Sequence, residues 1–157
     1  MKIRRVARVV VLDPAGAVLL VHYQDRAPVN PRKPALLTYW VPPGGGLQEG
    51  ETYERAAIRE LEEETGIELS EMGRQIWNRE RQLLHRGEMK KYMERYFIAA
   101  AEPPHVLRNR TEENIEEIRW WTLEQLRAST ETFLPEGFLD LVVPIMAGDI
   151  PSAPVDL

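Results

Sequence analysis

Three glutamates on one helical face could hold a hard cation. In the segment ERAAIRELEEETG, Glu60, Glu63 and Glu64 fall at i, i+3 and i+4, a spacing that gathers three side chains within an arc of about 100°. Glu62 points away, and Ala57, Ile58 and Leu61 form an apolar stripe beside the acids, as at the edge of a cleft. Like charges at this spacing cost only roughly 0.2–0.5 kcal/mol per pair on an exposed helix. Taken alone, the run is therefore also accounted for by an acidic face solvated by water. The chemical alternative is a divalent-cation site, because magnesium takes carboxylate oxygens and keeps places for substrate phosphates. With no cysteine and three histidines in the chain, a soft-metal site is disfavoured. Gly44, Gly45 and Gly46 lie just upstream and permit a close backbone approach.

The wider spacing separates these readings. Gly45 is followed after five residues by Glu51, after seven more by Arg59-Glu60-Leu61, then Glu63-Glu64 and Gly66-Ile67. This pattern resembles the signature box of the Nudix hydrolase family at every constrained position, without a gap. Its fixed identities are each uncommon enough that coincidence is negligible. The resemblance covers 23 residues, Gly45 to Ile67; the stretch Arg119 to Leu123 is similar to family members more loosely.

The resemblance implies an α/β/α sandwich with a mixed β-sheet, in which a strand-loop-helix unit carries the chemistry. It implies hydrolysis of a nucleoside diphosphate linked to another group. Glu60, Glu63 and Glu64 would be the catalytic magnesium ligands, joined by the backbone carbonyl near Gly45, with manganese as an alternative ion. Glu51 and Arg59 would be a salt-bridged pair fixing loop to helix. A cation there would neutralise the pyrophosphate oxygens and activate a water, with a carboxylate taking the proton. The resemblance does not fix which one. Glu113, Glu116 and Glu117 precede a predicted strand, and Glu116 is the candidate for an extra ligand or base, against an ordinary solvated glutamate.

The elements that must position these groups are legible in outline. Arg5–Leu12 and Ala17–His22 read as strands joined by the turn Asp13-Pro14-Ala15-Gly16. A long proline-bearing loop, Tyr23 to Thr38, follows and is a place for substrate choice. Tyr39–Val41 is a short strand ended by prolines and glycines. Thr52 and Gly66 suit the two caps of the acidic helix. Arg74–Leu84 and Met89–Ala101 predict a long hairpin, Pro103–Arg110 a loop and Ile118–Trp121 a strand. Thr122 to Gln125 is a capping box, and Phe138–Met146 is an apolar helix ending near Pro144. One domain over 1–148 is expected, with 149–157 a loosely ordered tail.

Candidates for substrate contact come from the hairpin. Alternation sends Arg79 and Arg81 to one face and separates Lys90 from Lys91. Trp77, like Tyr39, Trp40 and Tyr92, could stack on a base, although strand aromatics more often serve the core. Of Trp120 and Trp121, which point oppositely, one is expected in the core and the other on a cleft wall. His22, His85 and His105 show no ligand spacing.

The chain of 157 residues fits one domain. Its net charge of −5 argues against a protein that coats duplex DNA and leaves small anionic ligands open. No apolar run is long enough to span a bilayer, the N-terminal apolar run reads as a strand rather than a signal sequence, and a cytoplasmic location is the expectation. The expected partner is a small nucleotide, not a nucleic-acid polymer or membrane; homodimer pairing is a fold-level analogy. The plainest substrate is a nucleoside or deoxynucleoside triphosphate giving a monophosphate and pyrophosphate. ADP-ribose, dinucleoside polyphosphates and nucleotide sugars are alternatives. A non-catalytic nucleotide sensor would be expected to lose box glutamates, and all are present. An isomerase on the same fold would be expected to add a cysteine, and there is none.

Overall fold

The computed structural model describes residues 1–102 and 114–157. Eight strands, β1 (Lys2–Leu12), β2 (Val18–Gln24), β3 (Thr38–Val41), β4 (Gly44–Gly46), β5 (Gln75–His85), β6 (Glu88–Ala100), β7 (Ile115–Trp121) and β8 (Val155–Asp156), form one mixed sheet. Among the described residues three helices cover it: α1 (Tyr53–Thr65), α2 (Leu123–Ala128) and α3 (Phe138–Met146). The order along the sheet is β3-β2-β1-β6-β5-β8, with β4 also paired to β1 and β7 to β2. The loop Pro103–Arg110, His105 and Glu113 lie outside the described residues.

The sandwich follows from the period of two in the central strand. Ala7, Val9 and Val11 of β1 pack with Phe97 of β6 beneath Ala56, Ala57 and Leu61 of α1. Val10 turns the other way, into a cluster with Trp77, Tyr96, Leu126 of α2 and Phe138, Val142 and Ile145 of α3. A strand apolar on both faces must be covered on both. β1 pairs in parallel with β6 over its whole length, from Lys2↔Lys90 to Leu12↔Ala100. This register also aligns the polar positions of the same face, Arg4 and Arg8 with Tyr92 and Tyr96.

Several expectations are corrected. The turn after Leu12 is present, but β1 and β2 pair only at Leu12↔Val18 before diverging. The three glycines are a strand rather than a loop, antiparallel to β1 with Ala7↔Gly45 at the centre. A Cβ on Gly44 would lie 2.2 Å from the Ala7 carbonyl oxygen, so only glycine lets the strands approach so closely. The C-terminal residues are not a loose tail: β8 pairs in parallel with β5, and the Leu157 N–H donates to the Asn78 carbonyl at 2.8 Å. Helix α3 spans Phe138–Met146, as expected, with Pro144 in its last turn; proline has no N–H to give the Asp140 carbonyl, and the helix ends two residues further on.

Candidate active site

The acidic helix begins and ends as its caps dictate. Thr52 Oγ1 accepts the Arg55 N–H at 3.2 Å, and Gly66 (φ 81°) closes the last turn in the left-handed conformation. Its buried face holds Tyr53, Ala56, Ala57, Glu60, Leu61, Glu64 and Thr65. Two of the three acids therefore lie within the buried stripe rather than beside it, and Ile58 is only half-buried. Glu63 stands partly in solvent, with 44% of its side chain exposed.

Arg59 organises this end. Its Nε and Nη2 donate to the two carboxylate oxygens of Glu51 at 2.8 and 2.7 Å, a bidentate pair, and Nη2 also donates to the Gly46 carbonyl at 3.0 Å. Its Nη1 donates to Glu60 at 2.9 Å and reaches Glu63 at 3.4 Å. The hydrogen bond from Arg59 holds the Glu51 carboxyl below its ordinary value, and burial opposes it only in part. The same bond, first among the causes, pushes the guanidinium up.

Glu64 turns to the sheet. It is fully buried, accepting the Gly44 N–H at 3.2 Å and the Tyr23 hydroxyl at 3.2 Å. Gly45 faces Glu60: a Cβ there would lie 2.5 Å from the Glu60 carboxyl carbon. Among the described residues no three acidic or histidine side chains are gathered closely enough to hold a metal ion. Two of the three acids do share a focus, while Glu64 is turned to Gly44 and Tyr23. Glu60 and Glu63 converge on one cationic nitrogen, Nη1 of Arg59, and Gly45 leaves the Glu60 carboxylate the room a side chain would fill.

Glu116 is exposed on β7, at the irregularity where His22↔Glu117 gives way to Tyr23↔Ile115. It belongs to no metal-sized group of acids among the described residues. Trp77 is not available to stack on a base. It is 2% exposed and packs on Tyr96 and Phe138 in the α2/α3 core, because its strand position faces that layer. Trp40 is buried too, stacked with His22 at 4.6 Å. Trp121 is the core member of its pair; Trp120 packs partly buried against the α1 cluster. Lys90 meets His85, whereas Lys91 pairs with Glu80.

Arg79 and Arg81 do share a face, and both point to Glu94, a carboxylate buried in β6. Arg8 reaches the same group at 3.7 Å and the Tyr96 hydroxyl donates to it at 3.0 Å. Burial alone would raise the Glu94 carboxyl, but Arg81, Arg8 and Arg79 outweigh it and hold it below its ordinary value. Burial pushes the Tyr96 hydroxyl up, and Glu94 adds to the effect. The inward parity of Arg4 and Arg8 with Val10 on β1 was the signal for this cluster. A charged residue at a core-facing strand position needs a partner, yet nothing in the sequence names Glu94.

Next to the glycine strand is a cavity of about 320 Å³. Arg4, Arg8, Arg81, Tyr39, Tyr92 and Gly44–Gly46 line it, and loop residues Val29, Asn30 and Leu36 wall it from the other side. The loop is held by the Leu84 N–H on the Val29 carbonyl at 2.7 Å and by Lys33 on Glu136 at 2.6 Å. A larger depression, about 790 Å³, lies outside the loop and contains none of the box residues; size alone does not mark the site. Among the described residues no helix is long and apolar enough to cross a membrane.

Comparison with known proteins places this geometry in context. The NUDIX domain family model matches residues 2–141. A segment of 54 residues is 46% identical to an RNA pyrophosphohydrolase of Sphingopyxis alaskensis, covering 34% of each chain. A segment of 64 residues is 38% identical to the m7GpppN-mRNA hydrolase NUDT17 of Xenopus laevis, covering 39% of this chain and 22% of that one. The matches thus span about a third or less of these relatives. Among solved structures, the MutT protein of Methanosarcina mazei Go1 superposes with a TM-score of 0.64 at 21% identity, covering 88% of this chain and 89% of that one. A C. elegans Ap4A hydrolase gives 0.59 at 21% identity, covering 92% and 96%. At these identities the likeness is one of fold.

Proposed function

The chain belongs to the Nudix family, and from that premise we propose that it hydrolyses a pyrophosphate bond in a nucleoside diphosphate linked to another group, with a divalent cation, magnesium first, at Glu60, Glu63 and Glu64. The convergence of Glu60 and Glu63 on a single cationic nitrogen beside Gly45 carries this reading. When bound, the ion would offset the charge of the phosphate oxygens and activate water for attack on phosphorus. The chain's own residues do the rest. Glu51 fixes Arg59 through two hydrogen bonds, and Arg59 in turn ties the Gly46 carbonyl to the helix. This holds the acids in position before substrate arrives. Glu64, held by Gly44 and Tyr23, fixes the helix against β4. Proton removal from water falls to a carboxylate of this group, and Glu63, the most exposed of the three, is the one open to solvent.

The plainest substrate is a nucleoside or deoxynucleoside triphosphate, giving monophosphate and pyrophosphate. The names of the two curated relatives favour a second reading, a phosphorylated or capped RNA end. A panel of nucleoside triphosphates, ADP-ribose, a dinucleoside polyphosphate, a nucleotide sugar and a 5′-triphosphorylated oligoribonucleotide, incubated with magnesium and resolved by chromatography, tests both. Cleavage of the pyrophosphate bond in at least one, giving two phosphate-bearing products (pyrophosphate among them only where a triphosphate is cut) and abolished by chelation, is expected. No turnover on the whole panel, or turnover unchanged by chelation, would contradict the proposal.

A further inference from the structure

We infer that the cavity on the far side of the glycine strand is an anion subsite, where Arg4, Arg8 and Arg81 take phosphate oxygens of the substrate beyond those at the glutamates. This deepens the proposed activity and rests on it only for the identity of the ligand as substrate.

The glycine strand separates two chemistries one residue apart. A Cβ at Gly45 would meet the Glu60 carboxylate, whereas at Gly44 and Gly46 it would meet the side chains of Arg8, at 2.7 Å, and Arg4, at 2.8 Å. Alternation along β4 thus sets the Glu60 carboxylate against one face, and the Arg4 guanidinium and the Arg8 side-chain stem against the other. Three glycines in succession leave both faces open to these charged groups.

The arginines exceed what the protein offers them. Arg8, Arg79 and Arg81 share the buried Glu94, and one of its oxygens already accepts the Tyr96 hydroxyl. A carboxylate has about four acceptor positions, whereas each guanidinium carries five donors. Arg8 Nε, Arg79 Nη1 and Arg81 Nε are buried without a hydrogen-bond partner among the described residues. Buried donors of this kind are costly unless something satisfies them. The other carboxylates of the wall are already engaged. Asp25 accepts from Tyr39 at 2.9 Å and from Asn114 at 2.7 Å, and Glu136 accepts from Lys33. Of the three arginines with unmet donors, Arg8 and Arg81 line the cavity, with Arg4 beside them; an incoming group with several acceptor oxygens and negative charge answers their excess of donors, and an uncharged base does not. Arginine forks suit phosphate in particular.

The test leaves the metal out, so that its failure is distinguishable from failure of the hydrolase reading. Tripolyphosphate is titrated by calorimetry into the full chain in chelator at low salt, and into Arg4→Gln and Arg81→Gln variants. The parent is expected to bind, and each substitution to weaken binding at least about tenfold. Arg81 touches the buried Glu94, so thermal melts accompany it; if Arg81→Gln unfolds, Arg4→Gln decides. Adenosine triphosphate is expected to compete through its phosphates, and uncharged guanosine not to compete. The inference is overturned if the parent binds no tripolyphosphate without metal, if Arg4→Gln changes affinity less than twofold, or if guanosine displaces the polyphosphate. Metal-dependent turnover persisting alongside any of those results leaves the hydrolase reading intact and removes only the subsite.

Discussion

The two sides of β4 are assembled in different ways. The acid side is local: Glu51, Arg59, Glu60, Glu63 and Glu64 come from one loop and one helix, and Arg59 bonds Glu51, Glu60 and Glu63 together. The arginine side is non-local: Arg4 and Arg8 come from β1, Arg79 and Arg81 from β5, and Glu94 from β6. Local assembly tolerates loss of one acid without unfolding, because the helix is held by its apolar stripe and caps. Non-local assembly makes a buried charge part of the sheet's own packing, so loss of Glu94 strands three cations. Changes on the acid side should therefore appear mainly in turnover, and changes at Glu94 mainly in stability.

The largest effect is expected from Glu60→Gln, which keeps shape and removes charge. Steady-state hydrolysis of the best substrate should fall at least about 100-fold, with the thermal midpoint little changed. Glu94→Gln should do the reverse, costing about 3 kcal/mol in denaturant titrations because the arginines lose their buried counter-charge. If Glu94→Gln leaves stability unchanged, the contrast between the two sides is broken.

That contrast also explains what the sequence made legible. The caps Thr52 and Gly66 are short-range signals and sit where the sequence put them; the contact of Glu51 with Arg59, which the family resemblance implied, is present, whereas two of the three acids lie within the buried stripe rather than beside it. The capping box at Thr122, likewise short-range, opened α2. The arginine cluster depends on the parallel register of β1 with β6 and the antiparallel register of β5 with β6, which no short window contains. The glycine strand read as a loop because glycine disfavours strands in general, whereas here the close approach of β1 requires it. The C-terminal strand was missed because two residues beside prolines carry no periodicity; β5's open edge supplies the partner. Trp77 was misplaced because parity gives a shared face without saying which layer covers it.

Smaller effects sharpen the comparison. Glu51→Gln removes the charge of a partly open bidentate pair and should cost about 1 kcal/mol, screening by solvent limiting it. Its pH behaviour has a definite sign. Glu51 and Glu94 both have carboxyls held below the ordinary value of 4.5. Each therefore contributes stability that is present above that value and lost as pH falls through the lowered one. Denaturant melts between pH 7 and pH 3 should show a plateau and then a loss in acid, less steep in Glu51→Gln than in the parent. An equal slope in the two proteins would show that the Arg59 pair does not contribute. Glu116→Gln, at an exposed position on β7, should change turnover less than twofold; a loss of about tenfold or more would restore Glu116 as the base.

Cation binding by the glutamates is tested most directly by manganese titration followed by electron paramagnetic resonance. The measurement compares the parent with Glu60→Gln and Glu63→Gln in the absence of nucleotide. Binding by the parent, weakened at least about tenfold in each variant, is the predicted result. Equal manganese affinity in all three proteins would contradict the assignment of these side chains as the ion's ligands.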